Sequence, residues 1–218
     1  MALDFGWHWK DWKGSCDMQS HREMIRASIE KSIELKTEIL ANEQLISEIS
    51  NVANAIISSL NKGGKVIFFG NGGSFADAQH LSAEFTSRFM FDRPSLPSLA
   101  LGTNSSAMSA VANDYGYEQV FSRELSSICM ANDVVIGIST SGKSPNVLRA
   151  LNTAIGKGTY SVLLTGGNLE TLQLVDESIH ILSVPSVETA TIQESHIMIG
   201  HILCELVESS MFHSNSSS

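Results

Sequence analysis

Between Ser20 and Leu60 apolar residues recur at helical spacing. Ile25, Ile29, Ile33 and Leu40 form one series, and Leu45, Ile46, Ile49, Val52, Ile56, Ile57 and Leu60 form a second. Asn42, followed by Glu43 and Gln44, marks the start of the second helix. Two helices therefore precede any strand, with an apolar flank suited to covering a sheet or packing on another subunit. The period then changes. After the turn Asn61-Lys62-Gly63-Gly64, the run Val66–Phe69 reads as a strand, and a helix follows from Phe75, after Ser74, to near Arg88. Pro94 and Pro97 bracket a loop before a strand at Ser98–Leu101. Ser105 or Ser106 caps a short helix through Val111, Asn113-Asp114-Tyr115-Gly116 reads as a turn, and a helix spans about Gln119 to Cys129. The run Asp133–Ile138 is apolar on both faces, as a buried parallel strand is. Pro145 opens a helix that reaches Gly156. Strands at Ser161–Thr165 and Ile179–Val184 and a helix from Glu188 to Met211 complete the pattern.

This alternation predicts an α/β fold: a five-stranded, parallel, doubly wound sheet of flavodoxin type, with helices on both faces, right-handed crossovers and an N-terminal helical extension. Ligands of such sheets bind beyond the carboxyl ends of the strands. The loops Gly70–Ser74 and Ser139–Ser144 both lie at that edge. The 218 residues suffice for a single domain over 19–212. Residues 1–18, which hold all three tryptophans (Trp7, Trp9 and Trp12), read as a leader of unassigned role, and residues 213–218 as a disordered tail.

Charge narrows the partners. With 14 basic and 23 acidic residues the formal charge is −9, which argues against a nucleic-acid backbone or an anionic membrane as main partner. Three widely spaced cysteines, Cys16, Cys129 and Cys204, suggest neither a disulfide framework nor a thiolate metal site. No apolar run is long enough to span a bilayer, and no basic segment followed by an apolar one marks a secretory signal. The expected location is the cytoplasm.

The chemistry concentrates in the two loops and one helix. Gly70-Asn71-Gly72-Gly73-Ser74 lets backbone amides approach an anion at a helix's positive end. Ser139-Thr140-Ser141-Gly142-Lys143-Ser144 places four hydroxyls before another helix, and hydroxyls donate to phosphate oxygens without cationic side chains. Neither loop fits the Walker or dinucleotide patterns. His80 and Glu84, four residues apart, share one helix face.

Together FFGNGGS and GISTSGKS resemble the sugar isomerase (SIS) domain, whose members bind phosphosugars. The set NGGS, the His80/Glu84 pair in AQHLSAEF, Asn113-Asp114, STSGKS, and Gln193 and His201 in IQESHIMIGH resembles the phosphoheptose (sedoheptulose 7-phosphate) isomerases over about Ser20 to Met211. The resemblance implies that Asn71, Gly72 and Gly73 line the substrate site, and that Ser74, Ser139, Thr140, Ser141 and Ser144 take the phosphate. Asn113 and Asp114 would contact the sugar. His80, Glu84, Gln193 and His201 would gather around a divalent metal, zinc in well-studied relatives, with Glu84 and His201 as acid/base pair. A homotetramer is implied as well. Thr191 stands where the family often has arginine, and the tryptophan-rich leader has no counterpart.

The implied reaction isomerises sedoheptulose 7-phosphate to D-glycero-D-manno-heptose 7-phosphate through an enediol, for heptose synthesis in surface glycans. It needs a base near the carbon acid and a group that moves protons between oxygens. Glu84 is the base candidate by position, and an imidazole such as that of His201 suits the second task. Gln193 and His201 are separated by about 80° and about 12 Å along a helix, so both must lean inward to share one ion. Glutamine is an uncommon zinc ligand, which implies a loosely held metal. The alternative is a non-catalytic SIS protein, a phosphosugar sensor or a replication-initiator-binding protein, which keeps the hydroxyl loops and needs no His/Glu/Gln/His set.

Overall fold

The computed structural model describes residues 18–167 and 175–212. Along them run helices α1 (Met18–Ala41) and α2 (Glu43–Asn61), strand β1 (Val66–Gly70), α3 (Gly73–Thr86), β2 (Ser98–Ala100) and α4 (Ser105–Tyr115). A 3₁₀ turn (Tyr117–Gln119) leads into α5 (Val120–Ile128), followed by β3 (Val134–Ser139), α6 (Pro145–Ile155), β4 (Tyr160–Gly166), β5 (Ile179–Val184) and α7 (Thr189–Phe212). The leader expected at 1–18, Met18 aside, and the tail expected at 213–218 lie outside the described residues. The chain divides into two compact units between Glu34 and Leu35, within α1. The second unit holds the sheet and its covering helices.

The five strands form one all-parallel sheet ordered β2-β1-β3-β4-β5. This is the strand order of a flavodoxin-type doubly wound sheet, the fold class expected. The chain leaves β1 toward β2 on one side and leaves β3 toward β4 on the other, so the topological switch point lies between β1 and β3. Register pairs Val66 with Val134 and Gly70 with Ile138, and the two strands end nearly level. The glycine turn after β1 and the hydroxyl loop after β3 consequently open side by side.

Side chains alternate across the sheet, as the strand period requires. Val66, Phe68, Val134, Ile136, Ile138, Val162, Leu164, Leu182 and Val184 pack into a core shared with α2, α3 and α7. Ile67, Phe69, Val135, Leu163 and Ile179 pack into a second core with α5 and α6. Every residue of β1 and β3 is buried. Burial on both faces explains why these strands read as unbroken apolar runs.

Asn42 caps α2 as its position predicts, its Oδ1 accepting from the Leu45 amide at 3.0 Å. Three boundaries differ from the sequence expectation. Helix α4 is capped by Asn104 rather than by Ser105 or Ser106, with Oδ1 accepting from the Ala107 amide at 3.1 Å. It also continues past Val111 to Tyr115, so Asn113 and Asp114 occupy its last turn instead of a free turn; Gly116, at φ +93°, stops it. Helix α3 ends at Thr86, short of Arg88.

Candidate active site

At the switch point two loops meet. Gly73 begins α3, with Ser74 buried beside it. In the facing loop the Ser139 and Ser144 hydroxyls lie 3.0 Å apart, and Ser141 Oγ accepts from the Lys143 amide at 3.2 Å. Ser144 precedes Pro145 at the start of α6 but makes no side-chain cap bond, so its hydroxyl pairs with Ser139. Thr140, partly exposed, holds β4 through its carbonyl, which accepts from the Gly166 amide at 3.1 Å.

The loops are tied by a reciprocal amide pair. Asn71 Nδ2 donates to Asn146 Oδ1, and Asn146 Nδ2 donates to Asn71 Oδ1, each at 2.9 Å. The Tyr117 hydroxyl donates to Asn71 Oδ1 at 3.1 Å. Asn146 is buried at the second position of α6. Sequence reasoning missed both Asn146 and Tyr117. The signal for Asn146 was its place directly after the hydroxyl loop and Pro145, where a short amide reads equally well as a helix cap.

Further along α3, three side chains converge. His80 Nε2 lies 3.2 Å from Glu84 Oε1 and 3.1 Å from Nε2 of His201 on α7. The His201 ring also packs on Phe89, with ring centres 5.3 Å apart. The approach of α7 to α3 depends on Gly200, because a methyl group there would overlap the Leu81 side chain. The sequence Gly200-His201 thus combines a close contact with a side chain of the cluster. Gln193, two turns earlier on α7, lays its amide over Gly73. Asp77, one turn before His80, has a buried Oδ2 with no hydrogen-bond partner among the described residues. Burial pushes its carboxyl above the usual range, against the opposing pull of His80 and His201.

The trio fits a divalent cation. Its three ligand atoms lie within 4.8 Å of one another, and imidazole nitrogens and a carboxylate oxygen are ordinary ligands of such an ion. A tetrahedral zinc site with bonds of about 2.0–2.1 Å sets its ligand atoms about 3.3–3.4 Å apart. That is close to the 3.2 and 3.1 Å separations here. Asn113 and Asp114 are exposed at the end of α4 and bond to each other at 2.8 Å. The structure therefore joins His80, Glu84 and His201 in one cluster, Asn71 to the loop after β3 through Asn146, and Gln193 to the start of α3.

A parallel sheet with hydroxyl and glycine loops at its switch point is the architecture of a SIS domain, and the model for the SIS domain family matches residues 29–166. The phosphoheptose isomerase of Aneurinibacillus thermoaerophilus is 49% identical over 190 residues, covering 87% of this chain and 95% of that protein. That of Burkholderia pseudomallei is 49% identical over 189 residues, covering 86% and 94%. Among solved structures, the phosphoheptose isomerase of Francisella tularensis superposes with TM-score 0.81 at 35% identity, over 87% of this chain and 98% of that one. The Neisseria gonorrhoeae enzyme gives 0.79 at 36%, over 87% and 99%. The chain belongs to the phosphoheptose isomerase family.

Proposed function

We propose that this isomerase converts sedoheptulose 7-phosphate to D-glycero-D-manno-heptose 7-phosphate in the cytoplasm, supplying heptose for surface glycans. The observation that carries the reading is the meeting of His80 and Glu84, on the helix whose first turn adjoins the hydroxyl loop, with His201 of α7. A phosphosugar receptor needs the loops without that trio. The relatives' names support the same substrate class.

In this reading Ser74, Ser139, Thr140, Ser141 and Ser144, with the amides of Asn71, Gly72 and Gly73, hold the phosphate by hydrogen bonds and by the positive ends of α3 and α6. Asn113 and Asp114 contact the sugar. Binding the remote phosphate orients the reacting carbons. Glu84 removes a proton from C1 of the ketose, leaving the enediol, and returns one to C2. His201 moves the hydroxyl proton from O1 to O2, which makes C1 the aldehyde and C2 the alcohol. His80, Glu84, Gln193 and His201 would hold a divalent cation, zinc as the family resemblance implies and the imidazole and carboxylate donors permit, which when bound would stabilise negative charge on the substrate oxygens.

We also propose a homotetramer. Met24, Ile25, Ile29 and Ile33 of α1 are exposed at helical spacing, as are Ile46, Ile202 and Leu206 in the larger unit, and such faces favour association between subunits.

The test is turnover of sedoheptulose 7-phosphate with product identification, with and without chelator. Glu84→Gln is expected to abolish turnover while retaining phosphosugar binding. Wild-type-like activity in that variant would remove Glu84 from the base role.

A further inference from the structure

Behind Glu84 lies an ion pair that the proposed chemistry does not use. Arg93 and Glu208 have side chains only 2% and 1% exposed, and Arg93 Nε donates to Glu208 Oε1 at 2.8 Å. Arg93 Nη2 donates to the Glu84 carbonyl at 2.8 Å, and Nη1 donates to the carbonyls of Phe85 at 2.9 Å and Pro94 at 3.0 Å. The Glu84 and Phe85 carbonyls belong to the last turn of α3, which no intrahelical donor satisfies. Glu208, on α7, accepts from the amides of Phe89 at 2.9 Å and Met90 at 2.7 Å. Burial raises the Glu208 carboxyl, but the Met90 and Phe89 amides and the Arg93 guanidinium more than offset it and hold it below the usual range.

The two side chains link three segments. Arg93 grips the backbone of Glu84 itself. Glu208 grips the backbone of Phe89, whose ring packs on His201. Arg93 additionally stands over the Phe212 ring, 5.8 Å from its centre. A guanidinium beside helix carbonyls is favourable to the negative end of the helix dipole. A buried charge pair, however, adds little net stability over an apolar pair of similar volume. Its distinctive consequence here is geometric, because planar guanidinium and carboxylate groups fix the directions of several bonds at once.

We propose that Arg93 and Glu208 are positioning residues for the isomerisation, holding Glu84 and His201 at the separation that proton transfer requires. This rests on the acid/base reading above. Arg93→Lys keeps the charge but loses the fork that reaches Glu208 and the α3 carbonyls together. Glu208→Gln keeps the volume and loses the charge, which leaves the Arg93 guanidinium buried without its counter-ion, so its rate is read strictly per folded molecule. For both, kcat per folded molecule is expected to fall on the order of 10- to 100-fold with KM within about twofold. Folded fraction is read from near-UV circular dichroism and thermal unfolding, and Glu84→Gln is assayed beside them. Variants that are less stable but keep kcat within about twofold per folded molecule would overturn the proposal, as would a rise in KM at unchanged kcat. If Glu84→Gln itself turned over substrate, the acid/base reading would fail instead. An inactive Glu84→Gln beside unimpaired Arg93→Lys and Glu208→Gln would sink the positioning role alone.

Discussion

Gly200→Ala tests whether the contact between α3 and α7 sets the geometry of the site. Alanine is the better helix former, by about 1 kcal/mol over glycine, so an exposed substitution of this kind would stabilise the protein. At position 200 the new methyl meets Leu81, which is 1% exposed and surrounded by core. Carbon atoms rest about 3.5–4.0 Å apart, so relieving the overlap requires a shift on the order of 1 Å. Overpacking of that size costs about 1–3 kcal/mol, and the balance is a net loss of up to about 2 kcal/mol. The effect on rate is larger. His201 follows residue 200 and sits 3.1 Å from His80. A displacement on the order of 1 Å in such a site lowers kcat by up to about 100-fold, or about 2.7 kcal/mol of barrier. Thermal unfolding and steady-state turnover of sedoheptulose 7-phosphate measure the two effects. A variant more stable than the parent by about 1 kcal/mol, with unchanged kcat, would show that the helices have slack and refute the argument.

Other buried groups give independent outcomes. His196 is fully buried, and burial drives its pKa from 6.5 down to about 4, with the Thr165 backbone opposing. Between those values the unfolded chain binds the extra proton, so this contribution is intact above about pH 6.5 and decreases as pH falls toward 4, by about 3 kcal/mol in all. Denaturant titrations at pH 7 and pH 4.5 should show a smaller pH difference for His196→Met than for the parent; equal differences would contradict the assignment. Burial, with Glu84 and Glu208 adding and Arg93 opposing, pushes the Cys204 thiol up to about 12, and burial raises Cys129 as well. Peptide mapping after iodoacetamide at pH 8 should find neither labelled in the native protein and both labelled in denaturant. Native labelling of Cys204 would mean that the core between α3 and α7 opens.

Much of this protein was legible in order along the chain. The apolar runs at Val66–Phe69 and Asp133–Ile138, the cap at Asn42 and the glycine and hydroxyl loops follow from forces acting within a few residues, where helical period, strand burial and turn chemistry leave a local signature. His80 and Glu84 could be paired because four residues make one helical turn. The extension of α4 through Asn113 and Asp114 was not legible, because Asn-Asp-Tyr-Gly suits a turn and a capped helix end alike.

What the chain order alone could not decide is which distant segments become neighbours. The placement of β1 beside β3 brings Asn71 to Asn146, and the missing side chain of Gly200 brings His201 to His80. Arg93 meets Glu208 across 115 residues of sequence. Contacts of that range depend on how whole helices and strands fit together in one close-packed core, and no single segment carries that information. Residue types and local geometry determined what chemistry was available; packing decided where it converged.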